Sequence, residues 1–173
     1  MLASLGARTF FDTYSGLVPD AALRAYVDDV FTPDRLRAEL ADPHTRVFVA
    51  LGLRQPTGYA LVRREPAPPG VGGSNPLSMG RIYVDSAAQG SGTGSALFTR
   101  VLAEAAAHGH DRLWLTVLEH NTRAIAVYER WGFSDVGAVP FDFAGVGQTD
   151  RVMATKVPNL GDTHRSTLAV VPR

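Results

Sequence analysis

Gln89-Gly90-Ser91-Gly92-Thr93-Gly94 is the stretch on which the reading of this chain turns. It stands between a β-rich run over 79–85 and a run in which Leu97, Phe98, Val101, Leu102 and Ala105 recur at helical spacing. That makes it a strand-to-helix turn. Its glycines leave backbone N–H groups unobstructed where the positive end of a helix dipole favours an anion, which suits a phosphate or pyrophosphate. A glycine-rich turn with no ligand has the same composition, so these residues alone leave both readings open. The turn lacks the Lys-Ser/Thr of a nucleotide phosphate loop and the full glycine fingerprint of a dinucleotide fold, which argues against ATP.

Working outward, the first 42 residues read as helices. Asp20 is placed to cap a segment carrying Leu23, Tyr26, Val27 and Val30, and Thr32-Pro33 reads as an N-cap followed by proline at the first helical position. Strands are expected over 46–51 and 58–63, then an irregular Pro/Gly-rich loop over 65–76, EPAPPGVGGSNP. Past the glycine turn, Gly109 is a helix stop, and Arg112 to Leu118 is apolar on both faces, as a central strand requires. Asn121 is placed to cap a helix that Gly132 ends, and strands near 133–143 and 151–157 complete the pattern. The expected fold is a single α/β (α+β) domain: a mixed, mostly antiparallel twisted sheet with helices on both faces and one parallel βαβ crossover at its centre.

Composition narrows the function. Lys+Arg and Asp+Glu both total 17, so no strong field recruits nucleic acid or an anionic membrane. Cysteine is absent, which removes disulfides, Cys-ligated zinc and a thiol nucleophile. No apolar stretch approaches the ~20 residues of a membrane span, and no signal peptide is evident, so a cytoplasmic protein is expected. Lys156 is the one lysine among 17 basic residues, which points to an arginine-rich, high-GC bacterial coding bias.

The pattern Gln89-x-x-Gly92-x-Gly94 resembles the acetyl-CoA pyrophosphate loop of the GNAT N-acetyltransferase superfamily. A second signature follows at that family's spacing: Trp114-Leu115-x-Val117-x-x-x-Asn121-x-x-Ala124-x-x-x-Tyr128-x-x-x-Gly132-Phe133. Phe11-Asp12-Thr13-Tyr14, Arg81-Ile82-Tyr83-Val84, Glu119-His120-Asn121 and Gln148-Thr149-Asp150-x-Val152-Met153 lean toward the spermidine/spermine branch, from which Ser78 and Gly80 depart where acidic residues are usual. The resemblance covers about residues 3–157 and lacks the family's first strand. It leaves 158–173 as a tail whose apolar run, 166–171, is expected to replace that strand within the chain or across a homodimer.

The resemblance implies acetyl-CoA as co-substrate, no metal, and direct acetyl transfer to a primary amine. The acceptor would be a polyamine or other small amine, an amino acid, an antibiotic or a protein N-terminus. It places the cofactor against Ile82, Tyr83 and Val84 of the strand, against Gln89, Gly90, Ser91, Gly92, Thr93, Gly94 and Ser95 of the turn, and against Asn121, Ala124 and Tyr128. A strand bulge is expected to aim the amide of Tyr83 or Val84 at the thioester oxygen. Tyr128 is the expected general acid, although its place on the Ala124–Tyr128–Trp131 face also suits core packing. Glu119, His120 and Asp142 are candidate bases, and Asp12, Asp28 and Asp29 candidate carboxylates for a cationic acceptor. All of these suit a solvated surface equally well. A non-catalytic acetyl-CoA-binding module is the alternative to an enzyme.

Overall fold

The computed structural model describes residues 1–158, and the strand expected over 166–171 lies outside them. Helices α1 (Leu2–Tyr14), α2 (Asp20–Val30) and α3 (Pro33–Ala41) come first, then β1 (Thr45–Leu51), β2 (Pro56–Arg63) and β3 (Pro76–Val84). A 3-10 turn, Ser86–Ala88, leads into α4 (Thr93–Ala107). After it come β4 (Arg112–Leu118), α5 (Thr122–Arg130), β5 (Ser134–Phe143) and β6 (Val146–Lys156). The six strands form one sheet in the order β1-β2-β3-β4-β6-β5. Every pairing is antiparallel except β3 with β4, so β3–α4–β4 is the expected parallel crossover. Among the described residues no helix is long and apolar enough to cross a membrane.

Side-chain caps set the starts of α3 and α5. The Thr32 hydroxyl accepts the Arg35 amide at 3.2 Å with Pro33 leading α3, and Asn121 Oδ1 accepts the Ala124 amide at 3.2 Å. Asp20, read from the sequence as a cap, is instead the first residue of α2, with Pro19 at the N-cap. Its carboxylate still faces the positive end of the helix.

Two strands begin earlier than the sequence suggests. β3 starts at Pro76 because Leu77 and Ser78 pair in parallel with Leu113 and Trp114, and a leading proline forfeits no interior ladder bond. β6 starts at Val146 because a tight hairpin turn joins it to β5, with Asp142 Oδ1 accepting the Gly145 amide at 2.8 Å.

The sheet is covered on both faces. On one, Leu97 and Val101 of α4 pack with Leu113 and Leu115 of β4, and Ala124, Ile125 and Tyr128 of α5 close the edge. On the other, α1 and α2 bring Phe10 and Leu23 against Leu118 and Phe143. Truncating one of these buried leucines to alanine typically costs about 2–5 kcal/mol. α1 can lie this close because Gly6 has no side chain: a Cβ there would stand 2.5 Å from the Tyr59 hydroxyl. The loop over 64–75 covers Trp114 and Val152 with Val71. It is tied down by Asp111, whose carboxylate accepts the Ser74 and Asn75 amides at 2.6 and 3.0 Å. Those donors hold the Asp111 carboxyl down at about 2.

Candidate active site

The parallel ladder between β3 and β4 has three rungs, Pro76–Arg112, Leu77–Leu113 and Ser78–Trp114, and then stops. Beyond it β3 remains paired to β2, and β4 to β6, so the two strands diverge and open a wedge in the middle of the sheet. A bulge in β3 sits where the wedge opens: Leu61 faces Arg81 while Val62 faces Met79, leaving Gly80 as the extra residue. The bulge expected from the sequence is thus present in the middle of β3, a few residues before Tyr83 and Val84.

The bulge sets which amides face the wedge. The Asp85 amide donates to the Thr57 carbonyl at 2.8 Å, and hydrogen-bonded pairs alternate with non-bonded ones along an antiparallel ladder. The amides of Arg81 and Tyr83 therefore point to β2, and those of Ile82 and Val84 point into the wedge. Tyr83 contributes its ring instead, on the α1/α2 side of the sheet.

The glycine turn lies at the wide end of the wedge. Gly92 is the N-cap of α4 in the left-handed region, φ 88°, with open space where a Cβ would stand, and Gly90 has φ 79°. Ser91 Oγ and Thr93 Oγ1 are 2.8 Å apart, and the Ser91 hydroxyl reaches the Ala88 carbonyl at 2.6 Å. A Cβ at Gly94 would stand 3.7 Å from Trp131 and Val84, while Ser95 is exposed on the first turn of α4. Gln89 spans the wedge. Its Nε2 donates to the Val84 carbonyl at 3.2 Å, and its Oε1 accepts Arg123 of α5 at 2.7 Å. Arg123 is a cation at this turn that the sequence gave no reason to single out.

On the α1/α2 face a cavity of about 190 Å³ is lined by both diverging strands, with Gly80, Arg81 and Tyr83 from β3 and Thr116 and Leu118 from β4. Its walls are aromatic. Phe10 stacks on Tyr26 at 5.1 Å, and Tyr26 on Phe143 at 4.7 Å. Asp150 of β6 enters it, opposite Leu118, and is only 8 % exposed. Burial pushes the Asp150 carboxyl above the usual range, with the Thr116 hydroxyl partly opposing the shift. At the other end Arg81 reaches both carboxylate oxygens of Glu39 from α3, one at 2.9 Å.

Of the expected side chains, Asn121 is buried at the head of α5 and Ala124 follows it on the same helix. Tyr128 lies half-buried against Trp131 and Phe133, ring centroids 6.0 and 5.8 Å away, and burial raises its phenol to about 12. Tyr14 of α1 stands between the two halves: its phenol is raised, first by burial and then by Tyr128 and Asp150, and Asn121 hydrogen bonding opposes this. The candidate bases do not reach the cavity. Glu119 turns its carboxylate to His120 Nε2 at 3.7 Å, His120 is exposed, and Asp142 is spent on the hairpin turn. Asp12, Asp28 and Asp29 are exposed and line none of it. Asp150 was the residue to find. It lies in phase with buried Val152 and Ala154, so it is a charge in line with the covered side of its strand.

The sequence model of the acetyltransferase (GNAT) family matches residues 10–133. The chain belongs to that family and is an acetyltransferase. An uncharacterised N-acetyltransferase of Mycobacterium tuberculosis is 29% identical over 90% of this chain and 96% of its own length. The PaiA N-acetyltransferase of Thermoplasma acidophilum, solved in complex with coenzyme A, superposes with a TM-score of 0.71 at 15% identity over 90% of each chain. Nourseothricin acetyltransferase is 28% identical over 68% of each chain, with a TM-score of 0.57.

Proposed function

We propose that this chain moves an acetyl group from acetyl-CoA to a primary amine that enters through the aromatic cavity. One observation carries the reading: a single wedge joins a glycine-lined helix start on one side to a cavity holding a lone buried carboxylate on the other. Acetyl-CoA supplies an acyl group already activated as a thioester, so the protein's task is placement and proton handling. The residues present fit it. The turn from Gln89 to Ser95 offers amides at the head of α4, Arg123 adds a positive charge, and relatives of this fold are solved with coenzyme A.

In this reading the amides of Ile82 and Val84 donate to the carbonyl oxygen as it gains negative charge. Asp150 takes one proton from the incoming ammonium. The freed lone pair forms the C–N bond, the C–S bond breaks, the sulfur takes a proton from Tyr128, and the second proton that the nitrogen sheds on becoming an amide restores the Tyr128 phenol. Burial keeps that phenol protonated at neutral pH. Asn121 holds the head of α5, and with it Tyr128, in place.

The acceptor is a small amine. A polyamine, suggested by the sequence, draws no support from Asp12, Asp28 or Asp29, which face solvent. The test is thiol release from acetyl-CoA over a panel of primary amines. Release that no amine accelerates, by protein that still binds coenzyme A, overturns the reading.

A further inference from the structure

The charges around the acceptor cavity are already paired, with one exception. Arg81 is held by both oxygens of Glu39 and lies over the Phe31 ring at 5.2 Å. Arg63, beside it, is shared between Glu39 at 3.5 Å and Glu65 at 3.9 Å. These four groups, two guanidinium and two carboxylate, cancel. Asp150, across the cavity, pairs with no Lys, Arg or His among the described residues, and the Thr116 hydroxyl is the partner it has. The other polar groups between the two ends are the neutral hydroxyls of Tyr14, Tyr26 and Tyr83.

From this arrangement we infer that the acceptor is a monoamine, one ammonium on an uncharged body, and that Glu39 enforces this by occupying Arg81. The inference rests on the acetyl-transfer reading and names the substrate class of that site. An acceptor with one positive charge neutralises Asp150, and the aromatic walls favour a cation and an apolar stem together. A second ammonium would enter the cavity with no carboxylate left to meet it. A carboxylate on the acceptor would find its natural partner already taken, because a guanidinium that grips one carboxylate in a fork has little left for another. Glu39 can be this gate because α3 buries none of its own residues. The ion pair to Arg81 is therefore a main tie between that helix and the cavity.

Two pairs of probes separate the charges. Butylamine and putrescine differ by a second ammonium, and tyramine and tyrosine differ by a carboxylate. In the wild-type protein each monoamine is expected to exceed its partner in kcat/KM by at least about tenfold, the scale of leaving one buried charge unpaired. Glu39→Gln frees Arg81 and should shrink the tyramine-to-tyrosine ratio about tenfold while leaving the butylamine-to-putrescine ratio in favour of butylamine. Arg81→Gln leaves Glu39 with only its longer contact to Arg63 and should shift the butylamine-to-putrescine ratio toward putrescine. Ratios within one variant cancel any loss of folded protein. Calorimetry with coenzyme A present ranks the same four amines by binding, with no chemistry required. Putrescine or tyrosine preferred by the wild type in either assay overturns the inference, and so does a Glu39→Gln ratio that does not move. If the amines bind in the expected order but none releases thiol, the acetyl-transfer reading fails and the charge selection stands.

Discussion

The two sides of the wedge are built in opposite ways. The donor side is almost one continuous piece of chain: the end of β3, the glycine turn and the start of α4, joined by α5 through Gln89 and Arg123. Its chemistry is mostly backbone. The acceptor side is assembled from α1, α2, α3 and five strands, and its chemistry is carried by side chains that lie far apart in sequence. A site made of consecutive amides tolerates side-chain change as long as the backbone keeps its shape. A site made of gathered side chains can be retuned one residue at a time. The first half suits a constant co-substrate and the second a changeable acceptor.

Substitutions on each side test that division. The largest effect is expected at Asp150. Asp150→Asn should cost about 10²–10⁴-fold in turnover, the usual worth of a placed acid or base, with coenzyme A affinity unchanged in calorimetry. The wild-type kcat/KM should fall as pH drops through the raised pKa of Asp150, and that limb should vanish in the variant. Stability should move the other way. A carboxyl whose folded pKa lies above its unfolded value of about 3.9 binds extra protons in the native state, so its contribution is present below that value and lost as pH rises through the folded pKa. Asp150→Asn should therefore melt higher than wild type at pH 7, by about 2–4 °C per kcal/mol recovered, and the gain should disappear in strong acid. A variant that keeps full turnover would move the base elsewhere.

Next in size is Tyr128→Phe. It should lower turnover toward the small end of that range, about 10²-fold, because a thiolate leaves readily. Coenzyme A affinity should hold. Wild-type turnover would make Tyr128 a packing residue of the α5 face alone.

The smallest effect on turnover at saturation, and a selective one on binding, is expected at Gly92. Gly92→Val places a β-branched side chain at φ 88°, a conformation that costs of order 1–3 kcal/mol, and so should disturb the head of α4. Coenzyme A should bind about tenfold more weakly or worse, while the order of preference among amines stays as it was. Unchanged coenzyme A affinity would remove this turn from the donor side. A reordered amine preference would show that the two sides are not separable.

The same division explains what could be read from the sequence. The glycine turn, the long signature from Trp114 to Phe133 and the cap at Asn121 are local patterns, and they lead directly to the fold and to the strand-to-helix turn at the wide end of the wedge. Which β3 amide faces the wedge was not legible, because a single bulged residue, Gly80, decides the parity and nothing about that glycine announces a bulge. Asp150 stands in the branch motif but drew no role there, for a related reason. Its strand begins at Val146, behind a hairpin turn that the glycines at Gly145 and Gly147 disguise as loop, so a strand counted from Arg151 leaves Asp150 outside it. The pairing of Glu39 with Arg81 joins residues 42 positions apart, and no periodicity links α3 to β3.

The short ladder at the closed end of the wedge has its own consequence. The amides of Ile82 and Val84 ride on β3, while Asp150 rides on β6 across β4, so the distance between them follows from the angle at which β3 leaves β4. That angle is fixed by three rungs, the last being Ser78 against Trp114. The assembly works as a pair of dividers, where a small turn at the pivot becomes a large displacement at the points. Ser78 is only 2 % exposed, and the Trp114 ring nitrogen has no hydrogen-bond partner, so the pivot is tightly enclosed yet not fully bonded. Mutation at this pivot, which lines none of the aromatic cavity, is therefore expected to change the spacing between those amides and Asp150.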